Sequence, residues 1–528
     1  MPTYLNRSNQ LFLISACFFF LFSAPVFADA EEGSSKQVPS IHQKVQLYPT
    51  TKLVAQLISQ TEALERQVNN LQHQVNRLQS KRSVRTSNVN SSNKSSHVAN
   101  SNAQAQDRPT PLGKTSFIGG TPVVTSPYIG VVPSYDASDL LVNFPYVNED
   151  LSLLKQQQRI YSYCSTCSIH PESPLLALSG KIEAQISRVS HTGTAYGESD
   201  HDVDLTGAEV DTAVLVNQWS TGYLAFVYDN SQGSSNRRVD NSRVLLDRGF
   251  LTIGNLNQLP FYFTLGQYYV PFGQYASAMI SDPLTKVLGR VKARAFTLGF
   301  YKKFDKNNEL NLSAFAFNGD TKSSANSKSH QFGLNADYQF TQNPWSLELG
   351  TSYISNIADS GGMQHNGLSS GNSFSGFAGS AASEILDPIP GVGLRTNLGV
   401  GSFHFIFAYV AAARSFPLSV LSFDQKPARP QAVHSELDYN FSAFNKPSLI
   451  GFAYDQSKDA LALLIPKRQY TAIVSTSIWK DTIESLQFSH AVDYPTSDQA
   501  NGNAGVVPIY GGTSSDINSI ILQVGFYF

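Results

Sequence analysis

Charge is scarce in this chain. Of its 528 residues 15% are Asp, Glu, Lys or Arg, and 38 basic side chains nearly balance 40 acidic ones, giving a formal net charge of −2. A balance of this kind leaves no basic footprint for nucleic acid, and no nucleic-acid partner is expected. Long hydrophobic runs are also missing: beyond the first thirty residues no stretch of eighteen or more apolar residues occurs. That excludes a membrane-spanning helix, so a membrane location requires a closed barrel. The motifs of common chemistry are absent as well, with no nucleophile signature, glycine-rich nucleotide loop or HExxH pattern. Gly113-Lys114-Thr115 lacks the glycine five residues earlier that a phosphate loop needs, because position 108 is Arg. No enzyme activity, cofactor or metal is expected.

Cysteine is rare too, and its three copies are informative. Arg7, the apolar stretch Leu11–Phe22 and the small-residue end Val26-Phe27-Ala28 read as a signal peptide over 1–28, cleaved before Asp29. The alternative, a lipobox at Ile14-Ser15-Ala16-Cys17, places Cys17 inside the apolar run rather than at its end. Removal of the signal leaves Cys164 and Cys167. In an exported chain this CxxC reads as a local disulfide closing a tight loop. A redox motif wants a thioredoxin-like surround and a structural zinc wants two more ligands, and neither pattern stands nearby.

What is present begins with a heptad repeat in 29–80. Val54, Thr61, Val68 and Val75 take the a positions and Leu57, Leu64, Leu71 and Leu78 the d positions. The division leans towards a parallel dimer, and glutamine-rich flanks set partner and register only weakly. The expectation is a self-associating periplasmic coiled coil; the alternative is an amphipathic helix lying on the protein's own surface. Residues 81–116 are Ser- and Asn-rich without periodicity and read as a flexible linker. Segment 117–179 contains short helical patterns at Asp139–Val142 and Asp150–Arg159, the second capped by Asp150. It is too short for a full plug domain and reads as a small periplasmic or pore-associated piece.

From Gly180 to Phe528 the texture is uniform: segments of about ten residues alternate in polarity between Gly, Asn, Asp, Ser and Pro clusters. Phe332, Leu334, Ala336, Tyr338 and Phe340 oppose Gln331, Gly333, Asn335, Asp337 and Gln339. Phe528, Phe526, Val524, Leu522 and Ile520 form an apolar stripe resembling the C-terminal strand of outer-membrane barrels. The predicted fold class is all-β, a transmembrane antiparallel β-barrel of about 16 strands over 180–528, preceded by the α-helical coiled coil and linker. Sixteen strands leave an aqueous channel. Stretches 355–383 and 494–516 read as extracellular loops, the first long enough to fold over or into the mouth.

Alternation brings His434, Glu436 and Asp438 to one face, as lumen lining or, alternatively, as the polar group of a barrel hydrolase. Arg290, Lys292 and Arg294 form a basic cluster that, facing the lumen, would concentrate anions; the alternative is a loop or interfacial position.

Gly266-Gln267-Tyr268-Tyr269-Val270-Pro271-Phe272-Gly273 resembles the G-x-x-Y-V-P-F-G turn of several porin families. With the heptads, the D-L-S-L-L-K-Q-Q-Q-R stretch and the closing strand, the chain resembles the LbtU-type siderophore porins over essentially its mature length. The resemblance implies a Gram-negative outer-membrane channel with a periplasmic N-terminal extension, taking up ferric siderophore without a conventional plug. The implied partners are the outer-membrane bilayer and a small-molecule ligand. A general or anion-selective porin, or an envelope-tethering structural protein, stands as the alternative.

Overall fold

The alternating segments form one antiparallel sheet of sixteen strands that closes on itself. The computed structural model describes residues 115–118, 121–125, 148–164, 175–192, 199–229, 243–273, 275–324, 327–365, 376–377, 387–479, 481–502 and 510–528. The signal peptide, the heptad segment, linker residues 81–114 and Cys167 lie outside the described residues.

The strands are β1 (Leu175–Thr192), β2 (Ser199–Leu215), β3 (Ser220–Asp229), β4 (Arg243–Gly254), β5 (Phe261–Tyr269), β6 (Lys292–Lys303), β7 (Asn308–Ser324) and β8 (Ser327–Gln342). They continue with β9 (Trp345–Ile354), β10 (Gly391–Val400), β11 (Phe403–Ala412), β12 (Gln431–Ala443), β13 (Lys446–Lys458), β14 (Arg468–Thr476), β15 (Thr482–Val492) and β16 (Asp516–Tyr527). Each pairs with its sequence neighbours, and β16 pairs with β1 from Tyr527 opposite Lys181 to Asp516 opposite Thr192. Gly180 and Phe528 exchange backbone hydrogen bonds of 2.7 and 3.0 Å. No strand edge is left open along this seam, which removes the unpaired backbone that lipid does not tolerate. The first strand begins at Leu175, five residues before the expected start.

Period-two alternation sorts the side chains. Leu251, Ile253, Phe261, Leu265, Leu298, Leu334 and Phe452 are each at least half exposed on the outer face. On the inner face Thr252, Thr264, Thr297, Asn335 and Asp337 are buried. An apolar outside and a polar inside suit a barrel with lipid around it and water within. Among the described residues no helix is long and apolar enough to cross a membrane.

The two ends differ. At one end the strands meet in tight turns such as 343–344, 401–402 and 444–445, and at the other in long connections such as 270–291, 355–390, 413–430 and 493–515. Phe444 and Asn445 both have positive φ, 52° and 62°, the twist that matches a two-residue hairpin. At the long-loop end Leu421–Phe423, Lys426–Pro427, Gln499–Gly502 and Tyr510–Gly511 join the last two of those connections in a small four-stranded sheet. Before the barrel, Thr115–Ile118 and Thr121–Thr125 form a short hairpin whose second strand lies parallel to the start of β1. The hairpin takes in the last two residues of the expected linker.

Strand β6 is one of the clearest examples of the lipid-facing pattern. Leu298→Arg at its middle is expected to destabilise the barrel by about 2–4 kcal/mol, measured as a lower urea midpoint in lipid vesicles. An unchanged midpoint would mean that Leu298 does not face lipid.

Candidate functional site

Two segments that are not barrel strands pack directly against the inner wall. One is the connection 270–291 between β5 and β6, which starts with the Y-V-P-F-G turn. Pro271 cannot donate to a ladder, and Gly273 has φ +71°, with Tyr275 so close that a Cβ would meet its hydroxyl at 2.3 Å. The strand therefore ends there and the chain turns inward. Tyr275 donates to Phe272 O at 3.0 Å, and Val270 N donates to Val291 O at 3.0 Å, closing the neck of the loop. Between them the short helix Leu284–Gly289 carries buried Leu284 and Leu288.

The far wall receives this loop. Alternation on β12 does bring His434, Glu436 and Asp438 to one inward face, and all three are 0–1% exposed. Ser277 Oγ donates to Glu436 Oε2 and Ala278 N to Glu436 Oε1, each at 2.6 Å. Leu284 N donates to Asp455 Oδ1 at 3.0 Å, and Ile280 N to Gln487 Oε1 at 2.6 Å. Met279 packs among Ile406, Leu449, Ala453, Ile473 and Ile483. Opposite Asp438 the partner strand places Gly451, where a Cβ would meet the carboxylate at 2.3 Å. Glu436 thus holds the loop, His434 braces Glu436 and Asp455, and Asp438 is buried beside them with neither carboxylate oxygen hydrogen-bonded among the described residues.

His434 stands 3.0 Å from Asp455 Oδ1 through Nδ1 and 3.1 Å from Glu436 Oε2 through Nε2. The chain of contacts runs Ser277, Glu436, His434, Asp455, with a carboxylate between hydroxyl and imidazole. Activation of a serine by a histidine needs the imidazole on the hydroxyl. The arrangement is that of an anchor.

The second insert is α1 (Glu149–Cys164), which begins one residue before the expected Asp150 and ends on Cys164. Asp150 lies inside the first turn rather than at the expected cap position, and its Oδ1 accepts from the next amide, Leu151 N, at 2.8 Å. Leu151 and Leu154 pack with Tyr262, Leu256 and Tyr301, and Leu153 joins the cluster of Tyr223, Phe250 and Tyr268. Since Tyr262, Tyr223 and Phe250 alternate with exposed apolar residues, the helix lies inside the barrel. Asn148 Nδ2 donates to Asp337 Oδ2 at 2.9 Å, Glu149 pairs with Arg248 at 2.9 Å, and Lys155 pairs with Glu309 at 2.9 Å. Gln157 Nε2 donates to Asn217 O at 2.7 Å, at the tight-turn end. Segment 117–179 therefore contributes at least this helix to the lumen.

Two arginines organise the wall around α1. Arg248 also pairs with Glu209 and, at 3.3 Å, with Asp247. Arg395 pairs with Asp337, bonds Asn335 Oδ1 at 3.1 Å through both terminal nitrogens, and stands 3.7 Å from Glu348. The residue beside Arg395 on β9 is Gly350, and a Cβ there would meet the guanidinium at 2.3 Å. The absent side chain makes room for the charge.

No family model matches the chain. It is 37% identical over 419 residues to a UPF0422 protein of Legionella pneumophila (strain Lens), covering 78% of this chain and 78% of the relative. The chain belongs to the UPF0422 family. A UPF0422 protein of Coxiella burnetii is 34% identical over 406 residues, 76% of this chain and 83% of that one. Similar solved structures include an anion-selective porin from Comamonas acidovorans, with TM-score 0.43 and 11% identity over 67% of this chain and 100% of that one. Another is the outer membrane channel DcaP of Acinetobacter baumannii, with TM-score 0.39 and 13% identity over 67% and 97%.

In this UPF0422 barrel the basic trio is not brought together in the lumen. Lys292 and Arg294 share the face of Phe296 and Leu298, which are 47% and 53% exposed, whereas Ala295 between them and Thr297 point inward and are buried. Lys292 pairs with Asp247 at 2.7 Å, and Arg294 Nε donates to Gln267 Oε1 at 3.4 Å. Arg290 precedes the strand and lies 3.4 Å over the ring of Tyr269. The connection 355–390 does fold inward in its described part, onto the Leu284–Gly289 helix rather than across open water. Ser360 Oγ donates to Leu288 O at 2.6 Å and Gly361 N to Arg290 O at 2.9 Å. Burial pushes the Asp359 carboxyl up, against the lowering effect of two bonds from Thr321.

Sequence reasoning missed the inward course of 270–291. Its signal was the composition: a loop in water has little use for Val270, Phe272, Met279, Leu284 and Leu288, which are all buried here. Glu436→Ala removes the acceptor for Ser277 and Ala278 and a partner of His434, weakening the anchor by about 3–5 kcal/mol. The expected outcome is protease cleavage within 270–291 and a larger, noisier single-channel current, with Glu436→Gln in between. Unchanged cleavage and current would show that Glu436 does not hold the loop.

Proposed function

We propose that the protein is an outer-membrane channel through which small hydrophilic solutes diffuse, with a lumen that favours cations. Sixteen strands leave a bore wide enough for water, and the apolar exterior suits a bilayer. By the habit of such barrels the tight turns face the periplasm and the long connections face outward, and we infer a periplasmic location for the N-terminal region with its heptad segment. A self-associating stalk there fits this orientation.

The observation that carries the cation preference is the sign of the inward charge. Glu183, Asp202, Asp204, Glu209 and Asp211 on β1 and β2, Glu309, Asp337 and Glu348 on β7 to β9, and Glu436, Asp438 and Asp455 on β12 and β13 all alternate with outward apolar residues. Inward lysines and arginines of the described wall, such as Lys181, Arg248, Arg395 and Lys303, which pairs with Glu309 at 3.1 Å, are fewer. An acidic, narrow, low-dielectric passage raises the local concentration of cations and lowers that of anions. The overall net charge of −2 hides this, because the basic residues stand elsewhere. A ferric siderophore, the cargo implied by the resemblance to the LbtU-type porins, belongs to the same reading; the acidic lumen favours a neutral or cationic chelate over an anionic one.

The test is a reversal potential across a planar bilayer in a KCl gradient. A several-fold preference for K⁺ over Cl⁻ is expected, strongest at low salt where screening is weak. The Asp202→Asn, Asp204→Asn double variant should reduce that preference. A preference for chloride, or none, would overturn the charge argument, and a barrel without ion steps would overturn the channel itself.

A further inference from the structure

We propose that α1 is a releasable plug: the chain's own helix narrows the tight-turn end of the lumen, and its withdrawal opens a wider path. The proposal rests on the channel reading above and adds a second conducting state to it.

The wall is complete without the helix. With α1 gone Arg248 keeps Glu209 and Asp247, and Arg395 keeps Asn335 and Asp337. No buried cation would be orphaned. The surface vacated carries Thr252, Thr264, Asn311 and Asn335, hydroxyl and amide groups that water can satisfy.

Docking, by contrast, leaves polar atoms unsatisfied on the helix itself. Glu149 joins Glu209 around the one guanidinium of Arg248, and Asp150, 3% exposed, follows it into the lumen. Glu149 Oε2 and Asp150 Oδ2 are buried without a hydrogen-bond partner. Buried carboxylate oxygens in that state disfavour the docked form, and withdrawal returns both groups to water. What holds the helix in place is Leu151, Leu153 and Leu154, side-chain bonds from Asn148 to Asp337, Glu149 to Arg248 and Gln157 to Asn217 O, and the Lys155–Glu309 pair at the rim, whose side chains are 30% and 22% exposed. These are side-chain contacts alone. The loop 270–291 differs, since its own backbone amides at Ala278, Ile280 and Leu284 are bonded to the wall.

The experiment is single-channel recording on the full-length chain. Lys155→Glu sets two carboxylates against each other at the rim and is expected to raise the time spent at a higher conductance level at least tenfold. Glu309 also pairs with Lys303 at 3.1 Å, so Lys155→Glu combined with Glu309→Gln removes the like charge, leaves Lys303 as the partner and should reverse most of that rise. A second preparation carries Lys155→Cys and Glu309→Cys with Cys164→Ser and Cys167→Ser, joined by a short bis-thiosulfonate reagent. Cross-linking should abolish the higher level and reductant should bring it back. The same conductance levels and dwell times in cross-linked and reduced channels would overturn the plug while leaving the channel standing. Absence of any current in every preparation, including one lacking residues 29–164, would instead sink the channel reading.

Discussion

Backbone hydrogen bonding in lipid is the constraint on which everything else in this molecule depends. An amide or carbonyl facing hydrocarbon must be paired within the protein, and a sheet can meet that demand only by closing. Here closure is made by β16 on β1, continuous from Tyr527 beside Lys181 to Asp516 beside Thr192. Once the sheet is closed, every strand has one face for lipid and one for the interior. Polar side chains then have only the inside to occupy, and the interior of sixteen strands is too wide for wall side chains to fill.

The lumen is narrowed from two sides by unlike means. The loop 270–291 comes from the long-loop end and is fastened through its backbone to Glu436, Asp455 and Gln487. Helix α1 comes from the other end and rests on three leucines and a few side-chain pairs. Inward carboxylates therefore serve two purposes. Those under the loop satisfy amide donors and fix a shape, while Asp202 and Asp204, less deeply buried towards the long-loop end of β2, colour the passage that ions enter.

Much of this was legible in the residues. Period-two patterning through Phe332–Phe340 and through His434, Glu436 and Asp438 identified strands and faces correctly, because side-chain direction in a strand is set by local geometry alone. Two of the three basic residues were legible too: Lys292 and Arg294 have the parity of Phe296 and Leu298, and that parity alone assigns them to the outer face. What lies over an inward face is a different matter. Nothing in Q-A-V-H-S-E-L-D-Y shows that Ser277 and Ala278, about 160 residues earlier in the chain, will cover Glu436.

By itself the sequence determined the barrel, its strand count, the inward position of the acidic residues and the end of β5 at Pro271 and Gly273. All of these follow from alternation and from the conformational limits of single residues. Only the tertiary structure decided that 270–291 crosses the lumen, that α1 enters it, and that Glu436, braced by His434, serves as an anchor instead of an open lining. The reason is physical. Strand faces are encoded by neighbours two residues apart, whereas occupancy of a lumen depends on contacts between segments distant in the chain, and these exist only after the barrel has closed.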